Sequence, residues 1–247
     1  ITPNDYFDEI FCLNLSRRND KWKQVQHRFR RENIFVKRIE GVDGKKLKRE
    51  YYHKKIYDPD FKIKTVGAFG ILHSFINIFE HIINNDKIKR VLIFEDDVVF
   101  YQKFAERFHH SVRNIPKNWD VWYLGASQYM NINSSIHNIE NDFFQKNIKI
   151  LENNLFYYAN KTDGFFAIAL TRDFIKEFYP FQLQKKLPSD SLLQTKFQKD
   201  NKYLTIVSYP FLCFHDYGYS DNWNFNIGQN EVEQKWFHRK FNKNIFY

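Results

Sequence analysis

Glu95, Asp96 and Asp97 are three consecutive acids that follow directly on a short, wholly apolar run at residues 91–94. Like charges a few ångström apart repel and raise one another's pKa, so such a triplet beside a buried strand is costly on its own. A divalent cation removes that cost. Hard ions such as Mg²⁺ and Mn²⁺ prefer carboxylate and water oxygens and keep positions open for phosphate oxygens. The plain alternative is a solvated turn at a strand's end. What favours chemistry is location, because open α/β sheets bind ligands beyond the carboxyl ends of their strands.

The elements that must position these acids can be read from the pattern of apolar residues. Residues 10–15 read as a first strand, followed by a polar turn at 16–20 and a basic helix to about residue 32. A second strand is expected over 34–39, then a loop at 40–44 whose two glycines flank Val42 and Asp43. The stretch 45–64 is basic and irregular, with room for a short helix. Phe69, Leu72, Ile76, Phe79 and Ile83 recur at three- and four-residue steps and mark an amphipathic helix. If strands 10–15 and 91–94 are parallel neighbours, Asn14, Ser16 and Arg17 face the same crevice as the acids, a geometry suited to a nucleotide diphosphate held through a metal.

Further along, residues 98–101 lead into a helix that Pro116 ends, and 121–124 form the next strand. Residues 127–154 are rich in Asn and lack periodicity, so a long loop or insertion is expected. A strand at 164–170, a helix capped by Thr171, a helix start at 188–199, a late strand at 203–208 and a final helix near 231–241 complete the reading. Neither repeats nor a linker interrupt it, so one domain over 1–247 is expected: an α/β fold with a mostly parallel central sheet flanked by helices.

Composition narrows the classes. With 43% apolar residues, 27 Phe and 15 Tyr spread along 247 positions, the chain can bury a real core, which excludes disorder. No run approaches the roughly 18 uninterrupted apolar residues of a spanning helix, and a soluble, cytoplasmic chain is expected. Cys12 and Cys213 both lie in apolar runs and read as reduced core thiols. The formal charge of +9 attracts anions, although Lys, Asn, Ile and Phe are all abundant and coding bias is the plain alternative for part of the excess.

Seven segments in order carry a resemblance. They are Phe11-Cys12-Leu13-Asn14-Leu15-Ser16-Arg17-Arg18, Gly41-Val42-Asp43-Gly44, Gly67-Ala68-Phe69-Gly70-Ile71-Leu72-His73-Ser74, Val91-Leu92-Ile93-Phe94-Glu95-Asp96-Asp97-Val98, Trp119-Asp120-Val121-Trp122-Tyr123-Leu124-Gly125, Gly164-Phe165-Phe166-Ala167-Ile168 and Leu187-Pro188-Ser189-Asp190-Ser191-Leu192-Leu193. Together they resemble glycosyltransferase family 25, which includes bacterial lipooligosaccharide galactosyltransferases and procollagen galactosyltransferases, with relatives in giant viruses. The resemblance implies a GT-A type nucleotide-sugar-binding fold, a UDP-sugar donor, Mn²⁺ (or Mg²⁺) and net inversion at the anomeric carbon. It also implies a protein or glycan acceptor: hydroxylysine or its galactosyl form, or a lipooligosaccharide.

Carried over residue by residue, Glu95 and Asp97 are the outer members of a metal- and donor-binding acidic motif, and Asp96 touches the ribose or turns the chain. Asn14, Leu15, Ser16, Arg17, Asp43, Gly70, His73 and Ser74 fall on the donor side; His73 also reads as a packed helix residue. Ile71 stands where other members carry a cysteine, so no thiol role is expected there. Inverting transfer needs a base for the acceptor hydroxyl. Asp190 is the candidate and Asp163 the reserve, against a plain helix start in which Ser189 or Asp190 caps free amides. His215, before a glycine- and aromatic-containing loop, is the candidate third metal ligand, and residues 220–223 are expected to shape the pocket. A metal-dependent nucleic-acid enzyme would share the acids and the basic surface, but it leaves the ordered segments unexplained, and nucleic acid is not an expected partner. A non-catalytic binding module is the other alternative.

Overall fold

A computed structural model describes residues 1–128 and 149–216, together with the backbone strands Gly218–Ser220 and Phe225–Ile227. The expected helix near 231–241, the side chains at 220–223 and most of the 127–154 insertion lie outside the described residues.

After a short turn α1 (Pro3–Tyr6), strand β1 (Glu9–Asn14) enters the core with every residue but Glu9 buried. It runs parallel to β2 (Lys37–Glu40) on one side and β3 (Arg90–Glu95) on the other. Helix α2 (Asn19–Arg31) makes the β1–β2 crossover, and α3 (Lys48–Tyr57) and α4 (Val66–Ile83) lie between β2 and β3. The parallel neighbour relation on which a shared crevice depends is therefore present. Its register sets Cys12 opposite Phe94 and Leu13 opposite Glu95, which brings Asn14 to the level of the acids.

The second strand begins three residues later than expected. Asn33 takes φ 54° and the Ile34 amide donates to the Phe29 carbonyl, so these residues close α2 instead of opening β2. Past the acids, residues 98–100 form a separate strand β4 (Val98–Phe100), which precedes α5 (Phe104–Asn114) and β5 (Val121–Tyr123). Next come β6 (Ser127–Gln128), β7 (Phe156–Tyr158), β8 (Thr162–Asp163), β9 (Ala167–Thr171), α6 (Arg172–Gln182), β10 (Thr205–Ser208) and β11 (Cys213–His215). The main sheet has seven strands in the order β2-β1-β3-β9-β5-β10-β7. It is mostly parallel as expected, with β9 and β7 reversed. Strand β9 sits at the centre of the sheet, and the small Ala167 and Ala169 alternate with Ile168 and Leu170 along it, all four buried.

Helix α4 is the one described helix long and apolar enough, by length and composition, to cross a membrane. Its Phe69, Leu72, Phe75 and Phe79 are buried in the protein's own core, which makes it a core helix. Cys12 and Cys213 are both buried free thiols, as expected.

At 188–199 the expected helix start is present as a single turn, Ser189–Leu192, that widens into a π segment, Leu193–Phe197. Of the two capping candidates, Ser189 does not cap. Pro188 occupies the N-cap position, and the Ser189 hydroxyl instead accepts from Gln182 Nε2 at 2.6 Å. Asp190 does cap, accepting from the free first-turn amide of Ser191 at 2.8 Å.

Candidate active site

The acids close a crevice of about 310 Å³ at the carboxyl ends of β1, β2 and β3. Its walls are the β1 exit with Asn14, Leu15 and Arg17, the 41–44 loop, the first turns of α4 and the Glu95–Asp97 turn. Two glycines let the loop and helix meet. A Cβ on Gly70 would lie 2.5 Å from the Val42 carbonyl oxygen and 2.6 Å from the Gly44 nitrogen, and one on Gly44 would collide with the Val66 carbonyl. Gly70 thus shapes the wall from behind without lining it. Ser74 fixes the same loop by accepting from the Val42 amide at 2.8 Å and donating to the Gly70 carbonyl at 2.8 Å.

Asn14 is buried and organises the floor. Its amide nitrogen donates to Asp96 Oδ2 at 2.5 Å, and its oxygen accepts from Arg38 Nε at 3.0 Å. Asp96 also faces Lys21 at 3.7 Å. Burial raises the Asp96 carboxyl; Lys21 and Asn14 oppose the rise and Asp97 adds to it. Asp96 is thus held by protein groups, Asn14 and Lys21.

Burial pushes Glu95 well above the usual carboxylate range, and Asp97, Asp96 and Asp190 push it further. One carboxylate oxygen of Asp97 is buried with no hydrogen-bond partner. A buried anionic oxygen left unsatisfied amid like charges is a fit for a cation. The rim supplies positive charge as well: Arg17, Lys21, Lys45 and Lys48 all line the crevice. Arg17 Nε pairs with Asp43 Oδ2 at 3.1 Å. Burial raises the Asp43 carboxyl, but the Lys45 amide and Arg17 outweigh it and hold it below its ordinary value. Ser16 turns away, its hydroxyl hydrogen-bonded to Glu40.

His73 does not line the crevice. Its ring packs edge-on against Phe69 at 4.7 Å and faces Glu50 at 3.7 Å, and burial lowers its pKa. Its neighbour Leu72 is buried in the core on the same helix, so the packed reading describes it.

Behind Glu95 lies a second acidic group. Burial raises Asp190, with the Ser191 and Gly164 amides opposing. Burial together with Asp190 pushes Asp163 up to about 7. Asp163 accepts from Gln194 Nε2 at 2.8 Å through one oxygen, and its other oxygen is buried without a hydrogen bond. The buried Tyr123 phenol adjoins both acids and accepts from Gln198 Nε2 at 3.3 Å. The two candidate bases are therefore neighbours, linked electrostatically to the crevice through Glu95.

His215 ends β11, whose pairing with β4 sets it opposite Val98. The next residue, Asp216, donates its amide to the Asp97 carbonyl at 2.6 Å. The histidine is therefore carried on the strand that abuts the acidic turn, with its ring edge-on to Phe166 at 5.3 Å. Among the described residues no three His, Cys, Asp or Glu side chains converge into a preformed metal site. Lys21, Lys45 and Lys48 were missed by sequence reasoning, since nothing marks them out among 38 Lys and Arg residues.

Comparison with known proteins identifies the family. The profile of glycosyltransferase family 25 (LPS biosynthesis protein) matches residues 7–193. Procollagen galactosyltransferase 2 of Mus musculus is 29% identical over 133 residues, which is 49% of this chain and 21% of that protein. Procollagen galactosyltransferase 1 of Danio rerio is 28% identical over 133 residues, 49% of this chain and 22% of that protein. Inactive glycosyltransferase 25 family member 3 of Homo sapiens is 29% identical over 133 residues, again 49% and 22%. The chain spans about a fifth of the length of these curated relatives. Since the profile covers residues 7–193, well over half of the sequence, the chain belongs to glycosyltransferase family 25.

Proposed function

We propose that this chain is a metal-dependent hexosyltransferase that moves galactose or glucose from a UDP-sugar to a hydroxyl on a collagen-type protein or a glycan. The observation that carries the reading is the acidic turn Glu95–Asp97, with its orphaned Asp97 oxygen, facing Arg17, Lys21, Lys45 and Lys48 across one crevice. Asp97, Glu95 and His215 would hold Mn²⁺ or Mg²⁺, which when bound supplies positive charge to the leaving diphosphate. With fewer than three of these groups preassembled, the donor's own phosphate oxygens would complete the set.

The rim cations bind the diphosphate and stabilise charge as it develops. Asp190, with Asp163 beside it, takes the acceptor's proton while the acceptor oxygen forms its bond to the anomeric carbon and the bond to UDP breaks. The test is calorimetric titration of UDP, with and without Mn²⁺, into the wild type, Asp97→Ala and Asp190→Ala, paired with sugar transfer to hydroxylysine and glycan acceptors. We expect metal-dependent binding that Asp97→Ala loses, and normal binding without transfer in Asp190→Ala. Absence of UDP binding under both conditions would remove the donor site, and normal turnover by Asp190→Ala would remove that residue as base. A non-catalytic role is the second reading, because relatives described as inactive match this chain as closely as the procollagen galactosyltransferases do; UDP binding without transfer to any acceptor is its signature.

A further inference from the structure

The chain's positive charge is concentrated. Residues 44–64 contain eight Lys or Arg against three acids, a net +5 of the +9 carried by all 247 residues. This stretch contains α3, which is held firmly from beneath. Tyr51 is buried, donates its hydroxyl to the Lys64 carbonyl at 2.8 Å and packs edge-on against Phe61 at 5.5 Å. Glu50 pairs with Lys185 at 2.8 Å on the loop after α6.

The outward face of α3 is not an ordinary solvent face. Eight large apolar side chains are exposed among the described residues, and three of them, Tyr52, Ile56 and Tyr57, stand on this one ten-residue helix. Ile56 and Tyr57 are 70% and 72% exposed. Tyr52 and Ile56 are one turn apart, and the exposed Lys48 and Arg49 precede them on the same side of the helix. The helix is therefore apolar on both sides, with cations interleaved on the outer one. Aromatic and aliphatic groups at headgroup depth, flanked by Lys and Arg that extend to phosphates, form the pattern of a protein resting on an anionic bilayer. A nucleic acid would use the cations and could stack on the tyrosines, but an exposed isoleucine gains nothing from stacking. It gains from an acyl boundary.

We propose that α3, with the basic residues before it, docks the protein peripherally on a membrane of anionic phospholipid. Lys45 and Lys48 border the crevice, so docking through this face sets the mouth of the crevice beside the lipid surface. The inference stands apart from the transferase reading, since it uses only the charge and exposure of this face.

The test is co-sedimentation of the full chain with phosphatidylcholine vesicles, with and without phosphatidylserine at about a third of the lipid. We expect partition onto the anionic vesicles only, weakened by added salt. The double variant Lys46→Glu with Arg49→Glu should weaken it more than tenfold, taking roughly fivefold for each basic residue lost at the surface. Ile56→Ser should weaken it severalfold at unchanged net charge. All three side chains are exposed, so unchanged circular dichroism and melting temperature identify the variants as folded. The proposal is overturned if the chain ignores anionic vesicles, if these variants bind them as the wild type does, or if it takes up single-stranded DNA but not vesicles.

Discussion

Arg28, on α2, forms an ion pair with Asp216, just past the end of β11, across 188 positions of sequence. The same guanidinium donates to the Val98 carbonyl at 3.0 Å and reaches the Asp97 carbonyl at 3.5 Å. The Asp216 amide closes the set on Asp97 at 2.6 Å. One cation thus ties the turn that presents Asp97 to the strand that presents His215, and a planar fork with several donors is suited to the task.

Arg28→Met should leave the fold in place and loosen that tie. Hydrogen bonds to charged groups contribute about 1.5–3 kcal/mol when well shielded, and Asp216 is more than a third exposed, so a loss of about 1 kcal/mol is expected in urea unfolding. The larger effect should fall on function: metal-dependent UDP affinity should drop about tenfold, the cost of roughly 1.4 kcal/mol of lost preorganisation. Arg28→Lys should recover part of it. Unchanged affinity in Arg28→Met would mean that the turn holds its shape without the clamp.

Gly70→Ala tests the contact behind the crevice. The added methyl would meet backbone atoms of Val42 and Gly44 at 2.5–2.9 Å, and backbone yields less readily than a side-chain tip. A destabilisation of about 2–3 kcal/mol is expected, which for a chain of this size lowers Tm by roughly 5–10 °C. UDP affinity should fall with it, because the 41–44 loop is the wall that must move. A Tm within a degree or two of wild type would show that the loop moves freely.

What the sequence made legible was local. An apolar strand running into three acids needs no distant partner to be recognised, and the α4 stripe of Phe69, Leu72, Ile76 and Phe79 states its own period. The alternation of strands and helices points to a sheet flanked by helices, and the parallel pairing of β1 and β3, which the sequence posed only as a condition, is present in it. What stayed hidden depended on chain reversal. No property of residues 167–171 shows that they run against their neighbours at the centre of the sheet, and nothing near Arg28 points to a partner 188 residues away. The adjacency of Asp163 and Asp190 joins a two-residue strand to a single helical turn, and only the family resemblance named both. Lys45 and Lys48 were invisible for a different reason: in a run so rich in lysine, composition cannot tell a rim cation from a solvated one. Ser189 read as a cap because its neighbours fit one, while its real partner, Gln182, ends the preceding helix.

Asp163 makes stability depend on pH in a definite direction. Its folded-state pKa, raised from 3.8 to about 7, means that the folded protein keeps a proton which the unfolded chain has released. Stability from this group is full below about pH 4 and is lost as pH rises through 7, after which the profile is flat. Asp163→Asn keeps an acceptor for Gln194 and removes the titration. Without divalent metal, the variant's stability relative to wild type should rise by on the order of 2–3 kcal/mol between pH 5 and pH 8. Paired melts at the two pH values measure this. Parallel profiles for the two proteins would show that Asp163 is charged in the folded state at both.

Metal and nucleotide should each bind poorly alone and well together. Glu95 and Asp97 share one turn and His215 lies on the strand bonded to it, yet these side chains do not form a closed set of three. A divalent ion that enters the crevice alone must keep most of its water, and UDP alone meets the acids with its own negative charge. Together, the ion gains phosphate oxygens and the phosphates gain a counter-charge beside Arg17, Lys21, Lys45 and Lys48. Saturating UDP should therefore tighten Mn²⁺ binding at least tenfold, and Mn²⁺ should tighten UDP by the same factor, since coupling between two ligands is reciprocal. His215→Ala should reduce this coupling severalfold, whereas Asp97→Ala should abolish it. If Mn²⁺ bound as tightly without UDP, the protein alone would supply a complete ligand set; if His215→Ala left the coupling intact, the ring packed on Phe166 would have no part in holding the ion.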